Sequence, residues 1–229
     1  MHIQLDDSLT SIVPQFKIGL IHYTKITVSE SPQMILGRMR LYQESLTIDF
    51  ADEPVTTRPG VAEWRDIWKT FGASPSRYRH STEAMLRRIA KGDYLAPVNS
   101  AVDLNNFFSL QYDIPVGSYD VAQLEGDITI ALGDANTQYE ALNGRLTTLQ
   151  SIPHSSDAIG PFGSPYVDSV RSAVTEDATD VLQLFYLRPS MTIEEAERLL
   201  EAAGKMFTQI NGGEYVRSVL HIDQTSVTV

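Results

Sequence analysis

The chain has 229 residues, 42% hydrophobic and 21% charged, with no cysteine and a net charge of −11. A domain of that length can bury about 70% of its unfolded surface, and the balance is that of an ordinary globular protein. The missing cysteines exclude disulfides and thiolate chemistry, and the acidic total argues against non-specific nucleic-acid binding, which draws its affinity from neutralising phosphates. No apolar run reaches the ~18 residues of a membrane span. The first twenty residues lack a basic stretch followed by an apolar one. A cytoplasmic protein without signal peptide or membrane partner is therefore expected.

The first element expected is a strand in the β-branched and aromatic run "FKIGLIHYTKITVS", Phe16 to Ser29. "LTIDF" reads as another. In "GVAEWRDIWKTFG", Trp64, Ile67, Trp68 and Phe71 recur at helical spacing and Gly72 is a stop. A second helix runs to Ala90 with Ser81 or Thr82 as its cap, Met85, Leu86 and Ile89 on its apolar side, and Gly92 at its end. "NSAVDLNNFFSLQYD" is a third, with Val102 and Phe107 or Leu110 inward. "IPVGSYD" reads as a turn, "GDITIAL" as a strand, and "YEALNGRLTTL" as a hairpin about Asn143-Gly144. "SIPHSSDAIGPFGSPYVDSVRS" reads as a long Gly-, Pro- and Ser-rich loop, of the kind that carries function in compact domains. A buried strand "DVLQLFYL", a helix capped by Thr192 with Glu194 and Glu195 in its first turn, and strands in "GEYVRSVLHI" and "TSVTV" close the chain. With no repeat and no linker, the expected fold is α+β and mostly antiparallel. It is a single domain over residues 1–229, with a β-sandwich-like mixed core flanked by helices.

The charge is unevenly spread. Between Arg58 and Lys91 there are eight Lys and Arg against three Asp and Glu, a local +5; the other residues hold ten against 26, or −16, and the two sum to −11. Arg77, Arg79, Arg87, Arg88 and Lys91 are the candidate anion-facing residues. Arg87, Arg88 and Lys91 also fit the solvated face of a helix.

No GxSxG elbow, phosphate loop or dinucleotide fingerprint is present. Histidines 2, 22, 80, 154 and 221 never fall at metal-ligand spacing, so neither metal nor cofactor is expected; His154, in the long loop, is the one histidine kept as a candidate. The third helix carries more small polar side chains than a plain core helix needs. Asn99, Asn105 and Ser109 can donate and accept. Gly160, Gly163 and Ser164 sit in the loop where backbone can approach a ligand without a Cβ in the way. A shared cleft between the two segments would suit a small zwitterionic or amide-rich ligand. The alternative is that Asn99 caps the helix while Asp103 and Asn106 satisfy nearby backbone.

From residue 60 to about 190 the chain resembles the editing domain, called B-three/B-four, of the phenylalanyl-tRNA synthetase β subunit. The likeness is carried by a P-x-N-x-x-V-D-x-x-N pattern in Pro97, Asn99, Val102, Asp103 and Asn106. Pro115 with Tyr119 and Asp120 follows, and then Ser172, Val174, Thr175, Glu176 and Thr179 ahead of a strand. The resemblance implies a free-standing relative with a pocket between the asparagine helix and the glycine loop. It also implies tRNA or aminoacyl-tRNA as partner, and hydrolysis of a misplaced aminoacyl ester by positioned water and oxyanion donors. The chain departs from the family at Gly117, where bacterial synthetases have histidine, at Asn105 for threonine, at Ser100 for arginine and at Ala173 for glutamate. Three functions follow: a deacylase acting in trans on misacylated tRNA, a non-catalytic module for RNA, a free amino acid or a protein, or a pure protein-interaction domain.

Overall fold

The computed structural model describes residues 1–229. Two sheets form the centre. One has the order β11-β1-β4-β7-β8, from strands Ser226–Thr228, His2–Leu5, Ile128–Leu132, Pro153–Ser156 and Pro161–Gly163. The other has the order β10-β2-β9-β3, from Glu214–Leu220, Ile18–Thr24, Val181–Tyr186 and Val116–Asp120. The β1–β4 pair is parallel; the remaining ladders are antiparallel. A separate hairpin, β5 Gln138–Glu140 with β6 Leu146–Thr148, turns at Asn143-Gly144 as the sequence predicts. The fold is α+β.

The second sheet is buried on both faces, and side-chain alternation shows how. From β2 and β9, Ile18, Leu20, Leu182, Leu184 and Tyr186 join Ile3, Leu5, Ile128, Ile130 and Phe162 of the first sheet. Trp64, Ile67, Trp68 and Phe71 of helix α3 (Pro59–Phe71) close that core. The opposite face presents Ile21, Tyr23, Val181 and Phe185 to helices α5 (Ser100–Tyr112) and α6 (Ile193–Asn211), with α2 (Gln33–Asp52) and α4 (Ser81–Ile89) outside them. The short helix α1 is Asp7–Thr10. The layers are therefore sheet, sheet, helices.

Four local expectations are corrected. "LTIDF" is the C-terminal part of α2, not a strand. Its β-branched residues are overridden by an inward series, Ile35, Met39, Gln43 and Leu46, at helical intervals. Neither end advertises the helix, because Pro32 and Glu53 flank it without a side-chain cap. "IPVGSYD" is strand β3 rather than a turn. It is an edge strand, where a neighbouring proline costs no ladder bond, and its Gly117 is required because a Cβ there would lie 2.6 Å from Tyr119 Cζ. The long loop contains β7 and β8; His154 and Ser155 are both buried in β7, and buried polar residues give no hydrophobic signal. The cap of α4 is His80, whose Nδ1 accepts from the Glu83 amide at 3.3 Å; Ser81 and Thr82 lie inside the helix.

Candidate nucleic-acid interface

Helix α4 turns Leu86 and Ile89 into the core and leaves Arg87 and Arg88 outward. It is anchored from below by Glu83, whose side chain is wholly buried and accepts from Arg65 at 3.0 Å and from Arg87 at 2.8 Å. Thr82 and Ser109 hydroxyls meet at 2.8 Å, which ties α4 to α5. The Ser81 amide donates to the Pro165 carbonyl at 2.8 Å, which ties the helix start to the segment after β8. His80 is fully buried. Burial first, and the Arg65 guanidinium second, hold its imidazole at about 3, so it is a neutral cap.

Above this base Arg77, Arg79, Arg87, Arg88 and Lys91 line one open cleft of about 700 Å³. Its far wall is Tyr166 and Val167, with Asn143 from the hairpin turn. The five cations set against Asp93, the one carboxylate of the lining, leave a formal +4. Arg88 spends its charge on Asp93 at 2.8 Å, and Arg87 on Glu83. Arg77, Arg79 and Lys91 make no ion pair. The Arg77 guanidinium lies 5.1 Å from the Tyr78 ring centre, and Tyr78 meets Tyr166 edge-on at 5.4 Å. Free cations beside aromatic rings have the chemistry to hold an anion and to stack a planar group.

The far wall is clamped rather than loose. Ser164 Oγ accepts from the Tyr166 and Val167 amides, each at 3.2 Å, and lies 2.8 Å from the Tyr139 hydroxyl, which also donates to the Val167 carbonyl. Asp168 accepts from the Tyr119 hydroxyl at 2.8 Å and from the Ser164 amide at 3.4 Å. Burial pushes the Asp168 carboxyl up to about 7 despite those two donors, which pull the other way. An acid raised in the folded state stabilises it below the ordinary carboxylate range, and that stability is lost as pH rises through about 7. The residue keeps some contact with solvent. Of the ~4 kcal/mol that such a rise represents in full, about 1–2 kcal/mol is therefore expected between pH 5 and 8. Chemical denaturation at both pH values checks this. Asp168→Asn should remove the difference, and a parent no less stable at pH 8 relative to that variant would refute it.

The residues expected around an aminoacyl group are placed differently. Asn99 caps α5 through the Val102 amide at 2.9 Å and donates to the Val174 carbonyl at 3.1 Å. Asn105 donates to the Val116 carbonyl at 2.8 Å and accepts from Gln183 at 3.0 Å, continuing to Tyr23. Ser109 donates to the Ile114 carbonyl. All three are buried. The Gly160 amide donates to Asp157, which is held by Arg171 at 2.9 Å through both oxygens. Gly163 is occupied by Tyr119: a Cβ there would lie 2.5 Å from the ring Cε1 and closer to the hydroxyl. Ser164 is spent on the clamp. The structure thus does not bring Asn99, Asn105 and Ser109 into a cleft with Gly160–Ser164. Of the helix asparagines Asn106 lines a recess of about 250 Å³ shared with Leu36, Met39, Tyr94 and Leu95. His154 is buried in β7, level with Ala131 of β4 on the face opposite to Ser155, with no partner at Nδ1.

Sequence reasoning finds the five cations but misses Glu83 and Arg65 beneath them and Tyr166, Val167 and Asn143 opposite. The i,i+4 spacing of Glu83 and Arg87 is the one available signal; the far wall leaves none.

An α+β sandwich covered by helices on one side, with a basic cleft at the helix margin, defines the class. Residues 63–210 match the family model described as B3/4 domain, and the chain belongs to that family. It is 32% identical over 216 residues to the uncharacterized protein YhzB of Bacillus subtilis (strain 168), covering 94% of this chain and 97% of that protein. It is 26% identical over 151 residues to the phenylalanine–tRNA ligase β subunit of Paramagnetospirillum magneticum (strain ATCC 700264 / AMB-1); that match takes in 55% of this chain and only 19% of the subunit. An N-terminal fragment of the phenylalanyl-tRNA synthetase β subunit from Pyrococcus horikoshii aligns over 93% of this chain and 49% of that one, with 15% identity and a TM-score of 0.45. No helix is long and apolar enough to cross a membrane.

Proposed function

We propose that this chain binds RNA, taking the acceptor end of tRNA or aminoacyl-tRNA in the basic cleft. The observation that carries this reading is the convergence of Arg77, Arg79, Arg87, Arg88 and Lys91, spread over fifteen positions of an acidic chain, on one cleft with the Tyr166 ring in its wall. Three unpaired cations suit a short run of phosphates, and Tyr166 offers a face for a terminal base. The acidic remainder would repel the body of a tRNA, so contact is confined to one end. The relatives named phenylalanine–tRNA ligase support tRNA as the RNA in question. Binding is favoured over deacylation, because the six residues expected around the aminoacyl group have their polar groups engaged inside the protein, or, at Gly163, their space filled.

The test uses Arg77→Glu, Arg79→Glu and Lys91→Glu together, since Arg87 carries the buried Glu83 and would confound folding with binding. In the parent, log affinity for tRNA should fall with log salt at a slope of about −2 to −3, the value for three phosphate contacts. The triple variant should lose at least about tenfold in affinity and most of that slope. Unchanged binding would remove this cleft from consideration. A panel of misacylated tRNAs run alongside should show no release of amino acid above the uncatalysed rate; release would restore the hydrolytic reading.

A further inference from the structure

Helix α2 is apolar on two faces, and the fold uses only one of them. Its inward residues are Ile35, Met39, Gln43 and Leu46. Its outer face carries Met34, Leu41 and Ile48, which are 65%, 69% and 74% exposed. These three recur every seven residues, the repeat that keeps apolar side chains along one seam of a helix pair. They span about 21 Å of a helix about 30 Å long. Scattered exposed leucines need no explanation; a heptad stripe on the outermost helix does.

From this we infer that the outer face of α2 is a homodimer interface, in which the helix pairs antiparallel with α2 of a second copy about a two-fold axis at Leu41. Three features select a second copy in that orientation. The stripe is symmetric about Leu41, so the axis sets Leu41 against itself and brings Met34 level with Ile48 of the partner, as an isologous contact requires. The charge is divided along the helix: Arg38 and Arg40 lie in the N-terminal half, Glu44, Asp49 and Asp52 in the C-terminal half. Antiparallel pairing lays each basic half on an acidic one, whereas parallel pairing would stack like on like. The arginines are already held beside the stripe, Arg38 over the Phe107 ring at 5.4 Å and Arg40 over Tyr94 at 4.8 Å with Glu44 at 2.6 Å. Last, Gly37, whose Cβ position meets nothing within 4 Å, comes level with Ser45 of the partner, so small residues flank the axis and let the helices approach. One helix face is at the small end of specific interfaces. The dimer is accordingly concentration-dependent, with dissociation in the micromolar range.

The chain has no cysteine, so single-cysteine variants report this geometry directly. Sedimentation equilibrium of the parent should show a reversible monomer–dimer system. Leu41→Glu, which sets two carboxylates face to face on the axis, should raise the dissociation constant at least about 100-fold. Its circular dichroism should stay unchanged, and its melting temperature should match that of the parent diluted below the dissociation constant, because the side chain is exposed in the monomer and only the dimer's contribution is lost. Under mild oxidation Leu41→Cys should cross-link to itself and Met34→Cys should not; a mixture of Met34→Cys and Ile48→Cys should give the mixed covalent dimer. A parent that stays monomeric to about 1 mM, a dimer indifferent to Leu41→Glu, or self-cross-linking of Met34→Cys as efficient as that of Leu41→Cys would each overturn the proposal. In the monomeric case the stripe would be left to a different partner.

Discussion

Replacing Arg65 and Arg87 together with methionine is expected to cost about 3–5 kcal/mol of folding stability, because it strands a fully buried carboxylate. Glu83 lies under the cleft with both guanidinium groups on it. Arg65→Met alone leaves Arg87 in place and should cost less. Adding Glu83→Met to the double variant should recover much of the loss, since an apolar substitute of similar volume needs no counter-ion. Urea unfolding of the four proteins checks the series. A double variant within 1 kcal/mol of the parent would show that water reaches Glu83. The functional consequence is spatial: Arg87 lines the cleft, so its charge can sit there only because Glu83 fixes it.

Gly163→Ala is the second large effect, at least about 3 kcal/mol, at the upper end for overpacking a core. The new methyl would enter the Tyr119 ring, which is wholly buried between the sheets and cannot swing aside. Tyr119→Phe, by contrast, keeps the ring and loses only the hydrogen bond to Asp168, for about 1–2 kcal/mol. Thermal melts separate the two. A Gly163→Ala protein as stable as Tyr119→Phe would mean that Tyr119 moves freely, and that the Ser164–Asp168 wall of the cleft is not clamped from this side.

What could be read from the residues in order was whatever depends on near neighbours. The period of Trp64, Ile67, Trp68 and Phe71, the Thr192 cap and its Glu195, the Asn143-Gly144 turn and the apolar run of β9 each express local geometry, and each is found in the structure. The cluster of cations between Arg77 and Lys91 was equally legible, because sign and spacing are properties of the chain. Elements whose reason lies elsewhere were not. Strand β3 contains a glycine because the Tyr119 ring needs the room, and β7 carries buried His154 and Ser155 that no hydrophobic pattern announces. Helix α2 lacks caps, and its "LTIDF" favours a strand until the burial of its own Leu46, in series with Ile35, Met39 and Gln43, decides for the helix.

The same division runs through the site. The sequence by itself determined that five cations would share one stretch of an otherwise acidic protein, and that α5 would carry an unusual load of asparagine and serine. Only the tertiary structure decided what each group does. It turned the cations toward Tyr166 and Val167, some eighty residues away, and made a cleft. It spent Asn99, Asn105 and Ser109 on the carbonyls of Val174, Val116 and Ile114. A side-chain amide is satisfied by any partner of the right geometry, backbone or ligand alike. Which one it meets is set by how layers distant in sequence pack, and composition and spacing do not contain that.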